Sequence, residues 1–149
     1  MAESQETSTS GEGVLLVSDA PTVREEVQSV LGTLGLAVEE ARAGAEVTPA
    51  VRERAFNLVV LDLQIGNMGA MAACMDLRLE ESAGRLPHVP VLMLLDRRPD
   101  VFLARRSGAE GFVVKPLDPI RLRKAVRALL GGGTYHDPSY LPVPSLVEG

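Results

Sequence analysis

The chain has 149 residues, 20 acidic against 15 basic side chains, a net charge of −5 and one cysteine, Cys74. That length suits one domain with a substantial core, and a lone cysteine excludes an internal disulfide framework or a cysteine-based zinc site. No apolar run approaches the roughly 18 residues of a membrane span, and the amino terminus has no signal-like apolar segment, so the cytosol is the expected compartment.

Residues 1–12 are Ser, Thr, Glu and Gly with almost nothing apolar, and read as a disordered tail. Gly13–Val17 reads as a buried strand ending at Ser18 and Asp19, and Pro21 opens a helix where its missing N–H costs nothing. Val23, Val27, Val30, Leu31 and Leu34 line one face of that helix. Residues 36–40 form a short second strand and 46–55 a second helix. The run 56–63 is apolar, rich in β-branched residues and too short for a buried helix, so it predicts a strand covered on both faces. It carries one carboxylate, Asp62. At the carboxyl end of a parallel strand an Asp is a site candidate, although an Asp capping the next loop is the plainer reading.

A third helix is predicted over 70–81, with Met71, Cys74, Met75 and Leu79 as a core stripe and Cys74 an inert thiol. Val91–Leu95 is a fourth buried strand ending at Asp96, residues 99–106 a short fourth helix, and Gly111–Val114 a fifth strand ending at Lys115 and Pro116. Pro119–Leu130 is the last helix, stopped by Gly131, Gly132 and Gly133. Residues 132–149 have the composition of a linker. His88 and His136 fall in loops and suggest no function.

Five alternations of strand and helix over 13–131 argue for a doubly wound α/β domain with a parallel sheet and helices on both faces. No G-x-G-x-x-G or P-loop pattern follows a strand, which argues against a dinucleotide or P-loop nucleotide site. In a sheet of order 2-1-3-4-5, strands one and three are neighbours about 4.8 Å apart, so Asp19 and Asp62 face one crevice. Paired carboxylates with open positions suit Mg²⁺, a lysine reaching across balances a phosphoryl group, and Asp62 is the natural nucleophile.

Over 13–131 the chain resembles the receiver domain of bacterial two-component response regulators. The matching stretches are Val14-Leu15-Leu16-Val17-Ser18-Asp19-Ala20-Pro21, Leu58-Val59-Val60-Leu61-Asp62-Leu63, Pro90-Val91-Leu92-Met93-Leu94 and Gly108-Ala109-Glu110-Gly111-Phe112-Val113-Val114-Lys115-Pro116. The resemblance implies a flavodoxin-like (βα)5 three-layer fold and a signalling module rather than an enzyme. It implies that Asp62 accepts phosphate from a histidine kinase or phosphotransfer protein. Asp19, Asp62 and the backbone carbonyl of Gln64 would bind Mg²⁺, and Lys115 would contact the phosphoryl oxygens ahead of a cis peptide at Pro116.

Four positions depart from the family pattern. Ser18 replaces the first of an acidic pair and weakens the expected Mg²⁺ site; Leu95 replaces the hydroxyl that turns toward the phosphoryl group. Asp96 places a carboxylate at the pocket mouth, to pair with Lys115 or serve the metal. Phe112 stands for the switching aromatic without a hydroxyl, and is equally readable as core. The 95–108 connection is short, which predicts a short or displaced fourth helix. The competing function is therefore an interaction module that works without phosphorylation. An aspartyl-phosphate hydrolase is disfavoured because Gln64 stands where its second acid belongs.

Charge is uneven: residues 1–96 hold 15 acids and 6 bases, residues 97–127 hold 3 acids and 9 bases. Arg97, Arg98, Arg105, Arg106, Arg121, Arg123, Lys124 and Arg127 are expected on one face, for an acidic protein partner or a second copy. Neither a membrane nor nucleic acid is an expected partner of this chain.

Overall fold

Strands β1 (Gly13–Val17), β3 (Leu58–Asp62), β4 (Val91–Leu95) and β5 (Gly111–Val114) are buried at every position in the computed structural model, which describes residues 13–64 and 69–138. Uninterrupted burial is what parallel strands with helices on both faces require, and it explains their Val and Leu content. β2 (Ala37–Ala41) is an edge strand and carries Glu39 and Glu40. All pairings are parallel, in the order β2-β1-β3-β4-β5-β6. The flavodoxin-like order 2-1-3-4-5 is thus present, with one further strand, β6 (Tyr135–His136), laid on β5. That strand comes from the segment whose composition reads as linker. The tails 1–12 and 139–149 lie outside the described residues.

The strand period of two divides the core. Leu15, Val17, Val59, Leu61, Met93, Leu95 and Phe112 point to the face covered by α2 (Val47–Glu53), α3 (Ala70–Ser82) and α4 (Val101–Ser107). Val14, Leu16, Leu58, Val60, Leu92, Leu94 and Val113 point to the face covered by α1 (Pro21–Thr33) and α5 (Pro119–Leu130). Each fully buried Leu or Val contributes about 1.5–3 kcal/mol of hydrophobic stabilisation, so the sheet is a rigid platform for whatever its strand ends carry.

Val23, Val27, Val30 and Leu31 of α1 are buried as the sequence predicts. Half of the stripe expected on the third helix faces the core: Cys74 is fully buried and Met71 packs against the core cluster. The buried residues of this helix are Ala70, Ala73, Cys74 and Leu77, while Met75 and Leu79 are 49% and 66% exposed. Small Ala and Cys side chains let α3 lie close against the sheet, and Leu77 rather than Leu79 supplies its large buried side chain. α4 is short, seven residues after a single 3-10 turn at Arg98–Asp100. α5 starts with Pro119 and is capped by Asp118, whose carboxylate accepts the Ile120 N–H at 2.9 Å. Among the described residues no helix is long and apolar enough to cross a membrane.

Candidate functional site

Asp62 is the last residue of β3 and is only 1% exposed, so its carboxylate must find partners within the protein. It finds them on both oxygens. The Ser18 hydroxyl, from the end of β1, donates to Oδ2 at 2.8 Å; the Lys115 ammonium, from the end of β5, donates to Oδ1 at 2.6 Å. The Gln64 N–H also points at Oδ1, at 3.3 Å. Ser18 is fully buried and fixed from two sides. Its Oγ accepts the Ala20 N–H at 3.1 Å, and its carbonyl accepts from Arg24 at 2.9 Å.

Lys115 bridges two carboxylates. Besides Asp62 it donates to Asp96 Oδ1 at 2.9 Å. The second oxygen of Asp96 is buried without a hydrogen-bond partner. Burial pulls the Lys115 ammonium down, but the hydrogen bonds and charges of Asp62 and Asp96 outweigh it, and its pKa stands above the ordinary lysine value. The Lys115–Pro116 peptide is cis.

The remaining residues are less tightly gathered. Asp19 is exposed and makes no hydrogen bond or ion pair with this network, and among the described residues no three His, Cys, Asp or Glu side chains are placed to hold a metal. Leu95 is fully buried in the core below the site. Phe112 is 1% exposed, its ring stacked on His136 with centroids 5.0 Å apart and approached by the Arg105 guanidinium at 6.0 Å. The ring thus lies in the core.

The expected single basic face is divided. Arg97, Arg98 and Arg121 line a cleft of about 330 Å³ beside Asp96 and Lys115; Arg106 lines the groove between α3 and α4; Arg123 lines the groove between α1 and α5 with Glu25 and Glu26. Helical periodicity is the reason, because neighbouring positions on α4 and α5 point to different sides. His88, which suggested no function, sits between Glu81 and Glu110, each 3.0 Å from one ring nitrogen, near the start of β5 and away from Asp62. Sequence reading missed Asp137, which is fully buried beside β5; only a ring pair followed by an acid after three glycines hinted at it.

A family model described as the response regulator receiver domain matches residues 14–127. The chain belongs to this family. The "DNA-binding response regulator MtrA" of Mycolicibacterium smegmatis is 34% identical over 119 residues, covering 78% of this chain and 50% of that protein. The chain thus spans about half the length of the curated relatives it matches. Among solved structures, a two-component response regulator of the LuxR family from Aurantimonas sp. SI85-9A1 superposes with a TM-score of 0.75 at 28% identity, over 87% of this chain and 91% of that one. The receiver domain of the sensor histidine kinase PA1611 from Pseudomonas aeruginosa, solved with a magnesium ion coordinated in its active site cleft, shares the fold at 20% identity. Its TM-score is 0.72, over 81% of this chain and 98% of that one. In the receiver described here, Asp62, Lys115 and Ser18 therefore converge at the carboxyl edge of a receiver sheet.

Proposed function

We propose that this receiver accepts a phosphoryl group on Asp62 from a phosphohistidine of a histidine kinase or phosphotransfer protein, with a metal site weaker than an acidic pair would give. The observation that carries the reading is the buried Asp62 carboxylate with Lys115 Nζ 2.6 Å from Oδ1. In the transfer a carboxylate oxygen of Asp62 bonds to phosphorus as the donor's phosphorus–nitrogen bond breaks. The electron pair stays on the imidazole nitrogen, which takes a proton from water. Lys115, already charged, neutralises the oxygens of the transferred group.

The donor set suits Mg²⁺ in kind. Asp19, Asp62 and the Gln64 carbonyl are hard oxygens, and they would hold the ion, which when bound supplies positive charge opposite the phosphoryl oxygens. Ser18 lowers the affinity, since it adds no charge and its hydroxyl is engaged by Asp62 Oδ2. The exposed Lys124 and Arg127, one turn apart on α5, favour an acidic partner surface, on another protein or a second copy, with association weakened by salt.

The test is intact-mass measurement after incubation with a small phosphodonor and Mg²⁺. One phosphoryl adduct is expected, absent from Asp62→Ala; an adduct that persists in Asp62→Ala overturns the assignment. A second reading, a module that works without phosphorylation, is favoured by one observation: both Asp62 oxygens already have protein donors. No adduct in the native chain at high donor and Mg²⁺ makes that reading the stronger.

A further inference from the structure

The edge of a sheet offers a row of unpaired N–H and C=O groups, and β5 would be such an edge if the chain ended with α5. It is instead filled. After Gly131, the positive φ of 89° at Gly132 turns the chain back, and Tyr135 and His136 pair in parallel with Gly111 and Phe112. The filling is specific at each step. A Cβ on Gly111 would lie 2.9 Å from the Tyr135 carbonyl oxygen, so only glycine admits this approach. His136 stacks on Phe112 with an interplanar angle of 7°. Asp137, fully buried, accepts the Val114 N–H on Oδ2 at 2.9 Å, gives its own N–H to the Phe112 carbonyl at 3.2 Å, and lies with Oδ1 3.4 Å from Arg121 Nε.

Two of these contacts lead to the Asp62 site. Val114 immediately precedes Lys115, whose N–H is bound to the Leu95 carbonyl at 2.8 Å and whose ammonium joins Asp62 to Asp96. Arg121, the cationic neighbour of Asp137, lines the same cleft as Asp96 and Lys115. The usual relay of a receiver has no place here: Leu95 has no hydroxyl, and the Phe112 ring is covered by His136.

We propose that the β5 edge is a strand-docking groove occupied by residues 135–137 of the same chain, and that this strap, rather than a turning aromatic, is the element that responds to Lys115. The occupant is identified by the contacts above: a backbone that approaches over a bare glycine, a flat ring, and a carboxylate for an amide and a guanidinium. Whatever frees Lys115 from Asp62 and Asp96 loosens the end of β5 and with it the hold on Asp137. This coupling does not require that Asp62 accept phosphate.

Hydrogen–deuterium exchange on the full chain, without phosphodonor or metal, tests it. Lys115→Met is expected to raise exchange of the Val114, Tyr135 and Asp137 amides, the ones bonded between β5 and the strap, about tenfold. The amides of β2, at the opposite edge, should keep their native rates. Asp137→Asn should raise the same strap amides by a similar factor; where it fails to fold, His136→Ala, which removes only the stacked ring, takes its place. Strap exchange unchanged in Lys115→Met, or raised equally in β2, overturns the coupling. Tyr135 and Asp137 amides that exchange in the native chain as fast as an unfolded segment overturn the docking itself. Neither result bears on the phosphodonor assay, so a failure of one reading is separable from a failure of the other.

Discussion

The Ser18 hydroxyl lies 2.8 Å from Asp62 Oδ2 and donates to it, so the position where an acid would repel the Asp62 carboxylate instead stabilises it. The bond is fully buried and spans 44 residues of sequence. Its loss in Ser18→Ala leaves one oxygen of a buried charge short of a donor, a cost of about 1–3 kcal/mol measurable by urea denaturation.

Ser18→Asp should act in opposite directions with and without metal. Without Mg²⁺ two carboxylates share a buried site and the melting temperature falls; with millimolar Mg²⁺ the added charged ligand raises it above that of the native chain under the same conditions. Thermal melts with and without the ion decide this, and a variant indifferent to Mg²⁺ would place the metal donors elsewhere.

Stability should fall on the alkaline side through Lys115. Its pKa is raised in the folded state, so its contribution is complete below the ordinary lysine value and is lost as pH climbs through the higher folded value. Tyr135, raised by burial and by the charge of Asp137, acts in the same direction. The difference between the native chain and Lys115→Met isolates the lysine, and denaturation free energies collected from pH 9 upward should show a shallower decline in the variant.

Leu95→Thr restores the side-chain type common to the family, yet should not restore the relay. Leu95 is fully buried, so the change removes apolar volume and buries a hydroxyl, at a cost of about 2–4 kcal/mol. Phe112 remains stacked on His136. Denaturation should therefore register a loss of stability, and the near-ultraviolet signature of Phe112 should be unchanged.

Gly111→Ala introduces a Cβ 2.9 Å from both Leu129 Cδ1 and the Tyr135 carbonyl oxygen. The leucine can shift, but the carbonyl belongs to the strap backbone. A destabilisation of about 1–3 kcal/mol is expected by chemical denaturation, with weakened protection confined to the strap and the end of α5.

The sequence alone determined the alternation of strand and helix and the placing of Asp62 and Lys115 at strand ends. Each follows from a local cause: continuous apolar runs such as Leu58 to Leu61, a Pro at the start of α1 and α5, and a Gly triplet after Leu130. The departures at Ser18 and Leu95 were also legible, because a side chain's chemistry is known wherever it sits. What Ser18 and Asp96 do with that chemistry was decided by tertiary structure, since their partners Asp62 and Lys115 are 44 and 19 residues away and only the sheet register brings them within hydrogen-bond reach. The phase of α3 was likewise fixed by contact with the sheet, where Ala73 and Cys74 fit more closely than Met75. Residues 135–137 carry no strand pattern of their own. Their structure comes from an open edge on β5, a bare Gly111 and an amide at Val114 awaiting a carboxylate, all supplied by another part of the chain.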